Sequence, residues 1–355
     1  MTAPPAGDRP LVSVVIPAYN AEETLAETLA SIRAQTYPNL EILVVDDGSS
    51  DATRALALRV ATDDKRITVL LQDNAGVAAA RNHGIRACCG EYLAFVDADD
   101  VWHPEKIEAQ LEAIADAESD VGLVYCWSAK IDADGVVWTE WFRPRETGDV
   151  LTRLFRGNFV GNGSASLVRA DLARAIGGFD SSLQAAEAQG CEDLLFYLEV
   201  AQRARFALVE RCLVGYRATD ANMSSDPDRM FRSWLFVANE MVRRHPQHRR
   251  AIRAGLAEYA FLLFGTTLIR ARPGMATRFL VGTIRMRPSL VPWLLVRAVR
   301  SLARTARHSA LHVLRYARTG SIRSGAPPGI YGRRFAIGAS ARNRAKPSGD
   351  PKPHD

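Results

Sequence analysis

Cysteine is scarce in this chain and badly spaced for structural work. The five cysteines, Cys88, Cys89, Cys126, Cys191 and Cys212, form no C-x-x-C pair, and their number is odd. This excludes a disulfide framework and a zinc site, and predicts reduced thiols of the cytosolic kind. No run of 18 apolar residues occurs, so no membrane span is expected. Met1 to Pro10 lacks an apolar core of signal-peptide length, and secretion is not expected. Glycine is missing where phosphate loops need it. No G-x-G-x-x-G follows the first apolar run and no G-x-x-x-x-G-K-[ST] occurs, which argues against a dinucleotide oxidoreductase and a P-loop phosphotransferase. Acidic residues nearly vanish from the last third: residues 240–355 hold 4 Asp and Glu against 23 Lys and Arg. Residues 1–239 hold 36 against 22. The asymmetry predicts an acidic globular part and a basic tail that meets an anionic surface.

The 355 residues suffice for one large domain or two ordinary ones, and 47% apolar content suits a protein with a real core. Leu11 to Ile16 and Leu93 to Val96 read as buried strands, and Leu40 to Val45, Ile67 to Leu71 and Val121 to Cys126 as further strands. Between them, helical spacing covers Ala21–Ala34, a stretch from Ser50 or Asp51 (as cap) to Val60, Val77–Cys89 and His103–Ala117, the last with Pro104 in its first turn. Such alternation predicts an α/β fold, a mostly parallel sheet flanked by helices. The polar strand ends at 17–20, 46–51 and 97–100 would converge on one edge as a nucleotide-sized crevice.

The most informative stretch is Glu91 to Asp100, an apolar strand followed by three carboxylates in four positions. Asp97 and Asp99 lie two apart and would share a face of a continuing strand. Hard oxygen ligands at this spacing suit Mg²⁺ or Mn²⁺ shared with a diphosphate, although an isolated D-x-D is more often a solvated turn.

Together these segments resemble the family 2 glycosyltransferases. The resemblance rests on Val12–Asn20, Glu41–Asp51, Asn74–Gly76, Ala80–Asn82 and Val96–Asp100, in that family's order and spacing, and covers roughly residues 11–217. It implies a GT-A fold (that of nucleotide-diphospho-sugar transferases), a nucleotide-sugar donor, a divalent metal and inversion at the anomeric carbon. Carried over by position, Pro17, Ala18 and Tyr19 line the nucleotide pocket, with Asn74 and Gly76 in the adjoining turn. Asp47 accepts a hydrogen bond from the base, Asp46 shapes that loop or touches the ribose, and Arg81 lies near the nucleotide. Asp97 approaches the ribose and Asp99 holds the metal. His103 then reads as a first-turn surface residue, because Asp99, diphosphate oxygens and water fill a small octahedral shell.

The acceptor half is less regular. Ile131 to Trp138, broken by Asp134-Gly135, reads as a hairpin. Trp138, Trp141 and Phe142 suit sugar stacking or a core or lid role equally. A short strand is expected over Ala165–Val168, and Gly177–Asp180 resembles the segment this family places beside the acceptor. Glu192-Asp193 resembles the family's acidic pair at a helix start. In that reading Asp193 is the general base and Glu192 orients or contacts the acceptor.

Beyond Arg229 the pattern is helical, over about 227–245, 247–271, 275–286 and 290–317. The last helix joins apolar Leu290–Val296, including Trp293, to Arg297, Arg300, Arg304 and Arg307. It reads as a membrane-surface element or as a cap with solvated arginines. No nucleic-acid motif accompanies the charge. The expected domains are a flexible 1–10, a GT-A domain over 11–225 (nucleotide-sugar half 11–126, acceptor half 127–225), a basic helical extension over 226–318 and a disordered tail over 319–355. The expected protein is a cytoplasmic transferase, peripheral on the inner membrane face, passing sugar from a UDP-linked donor to a glycan or lipid-linked acceptor. A sugar nucleotidyltransferase is disfavoured by the missing glycine- and lysine-rich loop after the first strand. A non-catalytic scaffold is disfavoured by the intact Asp47, Asp99 and Asp193.

Overall fold

The computed structural model describes residues 9–286, apart from 118–119, 141–142, 187, 220–221, 223–224 and 270–272, together with 334–335. Trp141, Phe142, the helix expected over 290–317 and, apart from Arg334 and Phe335, the tail over 319–355 lie outside the described residues; Arg334 forms a β-bridge with Val136, and Phe335 packs on Val101, Ala129, Ile131 and Val137.

The first half winds as the periodicity predicts. Strands β1 (Val12–Ala18), β2 (Leu40–Asp47), β3 (Ile67–Gln72) and β4 (Tyr92–Phe95) alternate with helices α1 (Leu25–Arg33), α2 (Thr53–Asp63) and α3 (Gly76–Ala87). Every residue of β1 is buried, as expected of a strand covered on both faces. β1 pairs in parallel with β2 and β4, and β2 with β3. The spatial order runs β3-β2-β1-β4, so the winding reverses at β1 and opens a crevice over the carboxyl ends of β1 and β4. Asp51 caps α2 from just outside: its Oδ1 accepts the Thr53 amide at 3.0 Å.

The second half extends the same sheet. β5 (Val101–Trp102), β6 (Val121–Ile131), β7 (Val137–Glu140), β8 (Ser166–Arg169) and β9 (Arg205–Arg217) complete nine strands in the order β3-β2-β1-β4-β8-β6-β9-β5, with β7 paired to β6 as the expected hairpin. β8 runs antiparallel to both β4 and β6, and β6 runs parallel to β9. Helices α4 (Lys106–Ala115), α5 (Leu151–Leu154), α6 (Ala170–Ala175), α7 (Ser182–Ala185) and α8 (Glu192–Ala201) cover it.

The C-terminal helices are α9 (Pro227–Arg244), α10 (Arg249–Ile269) and α11 (Pro273–Met286). Asp226 caps α9 by accepting the amides of Asp228 and Arg229, and Pro227 fills the first turn. Trp234, Val237, Met241, Ile252 and Leu256 join the same hydrophobic core as β1 and β4. α9 and the start of α10 are thus packed on the sheet domain rather than hung from it.

Candidate active site

The loop after β4 is fixed through its main chain, which leaves two of its carboxylates available. The Ala98 carbonyl accepts the hydroxyls of Thr24 and Thr28, both at 2.9 Å. The Asp97 amide donates to Ser164 Oγ at 3.1 Å, and the same hydroxyl donates to Asp100 Oδ2 at 2.5 Å. Asp100 is fully buried and also accepts the Arg217 amide at 2.9 Å. Its carboxyl is pushed well above the ordinary range, first by burial and then by Asp99 and Asp97. Asp100 is therefore a structural member of the loop, whereas Asp97 and Asp99 are only partly buried. Among the described residues the Asp99 carboxylate has one long contact, from Asn222 Nδ2 at 3.5 Å. Burial and then Asp97 lift its pKa to about 6.

Arg81, on the core-facing side of α3, joins two distant parts of the sequence. It is 3% exposed. Its Nη2 lies 2.6 Å from Asp97 Oδ1 and its Nη1 2.7 Å from Asp193 Oδ1. Its guanidinium sits over the Phe179 ring, 5.0 Å from the centroid. Gly177 and Gly178, both at positive φ, deliver Phe179 to that place. Asn82 clamps Phe179 in both directions, donating to its carbonyl and accepting its amide, each at 2.7 Å. Phe196 stacks on the other side, with ring centroids 4.3 Å apart.

Asp193 occupies the first turn of α8 and takes a hydrogen bond from the Gly163 backbone. Burial raises its pKa, and Arg81 is the chief opposing influence. Glu192 behaves differently. It is 5% exposed, and its Oε2 accepts the Gly190 amide at 2.8 Å. Through this oxygen the Glu192 carboxylate also holds the turn that starts α8.

In the nucleotide half the expected residues differ sharply in exposure. Pro17 and Ala18 are buried in β1, so of the expected trio only Tyr19, 53% exposed, presents side-chain surface. Asp47 is 3% exposed, with both oxygens engaged by the chain itself. Oδ1 accepts from Gln72 Nε2 at 2.7 Å and the Ala75 amide at 2.8 Å, and Oδ2 accepts the Gly76 amide at 2.8 Å. Asn74 Nδ2 donates to the Asp47 carbonyl at 3.0 Å. In this conformation Asp47 holds the start of α3, where free amides suit a carboxylate. Asp46, 4% exposed, accepts the Ser49 amide at 3.3 Å and shapes its loop as expected. Gly48 is required here, with φ +73° and the Asn74 amide 2.8 Å from any added Cβ.

Among the described residues no three His, Cys, Asp or Glu side chains converge as a metal cage. Among the described residues a hard cation could therefore take one or two ligands. Asp99 fits such a site: its carboxylate is partly buried, crowded by Asp97 and lacking a close donor. Diphosphate oxygens and water would complete the shell. His103 is half-buried, and its Nδ1 accepts the Glu105 amide at 3.3 Å, as a first-turn residue does.

Several residues that build the site are not apparent from the sequence. Ser164, Gly163, Arg217, Asn222 and Gln72 reach it from four different loops and strands, and none lies in a motif that marks it.

A switch-point crevice faced by strand-end carboxylates and a helix-start acid is the arrangement of GT-A sugar transferases. The fold agrees with that of Staphylococcus aureus TarS 1–349 in complex with UDP-GlcNAc, with a TM-score of 0.59 at 20% identity over 89% of this chain and 98% of that one. Residues 13–177 match the Glycosyl transferase family 2 model, so this stretch of the chain reads as a glycosyltransferase domain. Bacillus subtilis TuaG, named for teichuronic acid biosynthesis, is 28% identical over 239 residues, 67% of this chain and 90% of TuaG. Escherichia coli WfgD, a UDP-Glc:alpha-D-GlcNAc-diphosphoundecaprenol beta-1,3-glucosyltransferase, is 44% identical over 102 residues, 28% of this chain and 40% of WfgD. The chain thus spans less than half of WfgD.

Proposed function

We propose that this glycosyltransferase moves one sugar from a UDP-linked donor to a hydroxyl of a glycan or lipid-linked acceptor, with inversion at the anomeric carbon. The observation that carries the reading is the Asp97–Arg81–Asp193 bridge. One buried guanidinium holds a strand-end carboxylate at 2.6 Å and a helix-start carboxylate at 2.7 Å, so donor-side and acceptor-side acids meet in one site. Asp193 takes the proton of the attacking hydroxyl as the new carbon–oxygen bond forms. The bond from the anomeric carbon to the diphosphate breaks, and UDP leaves with its electron pair. A single displacement from the opposite face inverts the centre. Burial raises the Asp193 pKa towards the range in which a carboxylate is an effective base.

Tyr19 offers exposed aromatic surface at the mouth of the crevice for the base, while Asp46 and Asp47 keep the loops beneath it in shape. Asp97 is placed for the ribose and Asp99 for Mg²⁺ or Mn²⁺. When bound, the cation supplies charge neutralisation for the departing diphosphate. The UDP assignment is supported by the UDP-GlcNAc complex of TarS and by the donor in WfgD's name, and the lipid-linked acceptor by the latter alone. Among the described residues no helix is long and apolar enough to cross a membrane. Leu262, Leu268, Val281 and Ile284 on α10 and α11 are nonetheless exposed, and they belong to the basic last third of the sequence, which supports peripheral contact with an anionic inner membrane face.

The test is nucleotide release from UDP-, GDP- and dTDP-sugars, with Mn²⁺ or with chelator, comparing wild type with Asp193→Asn. Release from UDP donors, cut by about 10²–10⁴-fold in the variant while nucleotide binding persists, is the expected result. Near-normal turnover in a folded Asp193→Asn protein would remove Asp193 as the base.

A further inference from the structure

Asp99 owes its placement to a residue outside the matched family domain. Arg217 ends β9, 118 positions along the chain from Asp99, and is 2% exposed. Its amide donates to Asp100 Oδ1 at 2.9 Å and its Nε to the Asp99 carbonyl at 2.8 Å. Its Nη1 donates to the carbonyls of Asp132 and Ala133, at 2.9 and 2.6 Å, in the turn between β6 and β7. Its Nη2 pairs with Glu27 of α1 at 2.5 Å. One planar fork thus ties the carboxylate loop to a hairpin and a helix, which a lysine's single ammonium cannot reproduce. The Arg217 carbonyl accepts Asn222 Nδ2 at 2.8 Å, and that same amide reaches Asp99 Oδ2 at 3.5 Å. The Asp99 main chain is therefore held firmly while its carboxylate is only lightly steered.

We propose that Arg217, with Asn222 seated on its carbonyl, is the positioning residue for the Asp99 carboxylate, and that it sets how tightly the site takes a divalent cation. The inference rests on the reading of Asp99 as the cation ligand. Outer partners of this kind orient a ligating carboxylate without touching the metal. Arg217 lies beyond residues 13–177, so a matched glycosyltransferase domain alone does not supply it.

The experiment measures Mn²⁺ uptake from the loss of the free-ion electron-spin resonance signal in the presence of saturating UDP. Wild type, Arg217→Lys, Asn222→Ala and Asp99→Ala are compared, with UDP binding in chelator as the control. Arg217→Lys is expected to weaken Mn²⁺ by about tenfold or more and to leave metal-free UDP binding unchanged. A purely structural role would lower both together, and that result overturns the inference. Unchanged Mn²⁺ affinity in Arg217→Lys, with uptake lost in Asp99→Ala, also overturns it. Mn²⁺ uptake retained in Asp99→Ala removes the ligand assignment itself, and the inference with it. Should Arg217→Lys fail to fold, Asn222→Ala decides: a weaker Mn²⁺ affinity supports the inference and an unchanged one refutes it.

Discussion

Arg81 provides the sharpest test of how the site is held. In Arg81→Met two carboxylates lose their shared partner while the side-chain volume beside Phe179 is largely kept. Removing one member of a buried ion pair costs about 3–5 kcal/mol, because the remaining charge stays desolvated. Arg81's side chain is 4% exposed, but those of Asp97 and Asp193 retain 31% and 22%. Water takes up part of the stranded charge, so about 3 kcal/mol is expected near pH 8. The pH dependence follows from Asp193. Its folded pKa lies above the ordinary 3.8 through burial, with Arg81 pulling down and Asp97 pushing up. Without Arg81 it rises further. An acid raised in the folded state contributes stability that is fully present below its unfolded pKa and lost as pH climbs through the folded one. The variant's deficit should therefore be smaller at pH 5 than at pH 8. Urea unfolding of both proteins at the two pH values measures it. The acid limb of kcat/KM should shift to higher pH in parallel. Equal deficits at both pH values, with an unmoved acid limb, would refute the bridge as the control on Asp193.

Four further outcomes follow from the structure. With its pKa raised to about 6 by burial and Asp97, Asp99 must lose a proton to take a cation, so thermal stabilisation by Mn²⁺ should be strong at pH 7.5, weak at pH 5 and absent in Asp99→Asn. In chelator, the stability that Asp99 contributes when protonated should be lost as pH rises from about 4 through about 6. Gly163→Ala would bring a Cβ to 2.8 Å from Arg81 Nη2 and 3.2 Å from Asp193 Oδ1; kcat should fall roughly tenfold, about 1.4 kcal/mol, with little change in unfolding midpoint. Gly84→Ala presses a methyl into Val15 Cγ1 where α3 crosses β1, and should destabilise by about 1–3 kcal/mol, a cost that a gain in helix propensity of roughly 1 kcal/mol only partly offsets; unchanged or improved stability would show that the two elements separate without cost.

Much of the donor half is legible in the amino-acid sequence. The runs at 12–18, 40–47 and 67–72 are apolar and the strands form where the pattern puts them; burial agrees over the first two, whereas in the edge strand at 67–72 only Ile67 is buried. The hairpin around Asp134-Gly135 is equally plain, because Gly135 supplies the positive φ the turn needs. β9 is not legible in this way. Glu210 and Arg211 interrupt its apolar pattern, and its pairing with β6 slips register in the same region. β5 is two residues long and exists only because β9 is beside it.

Residue types at strand ends and helix starts determined which chemistry was available: carboxylates at 97, 99 and 193, an arginine at 81 and no phosphate-binding glycine loop. Those features are local, and a sequence states them directly. Tertiary structure decided which of these groups are free to act. Asp47 and Glu192 read as site acids, yet both oxygens of Asp47 and Oε2 of Glu192 accept backbone amides; Asp97 and Asp193, 96 positions apart, meet on one guanidinium. A carboxylate's role depends on whether its hydrogen bonds are already filled by the chain, and those partners come from loops and strand ends that only the closed sheet brings together.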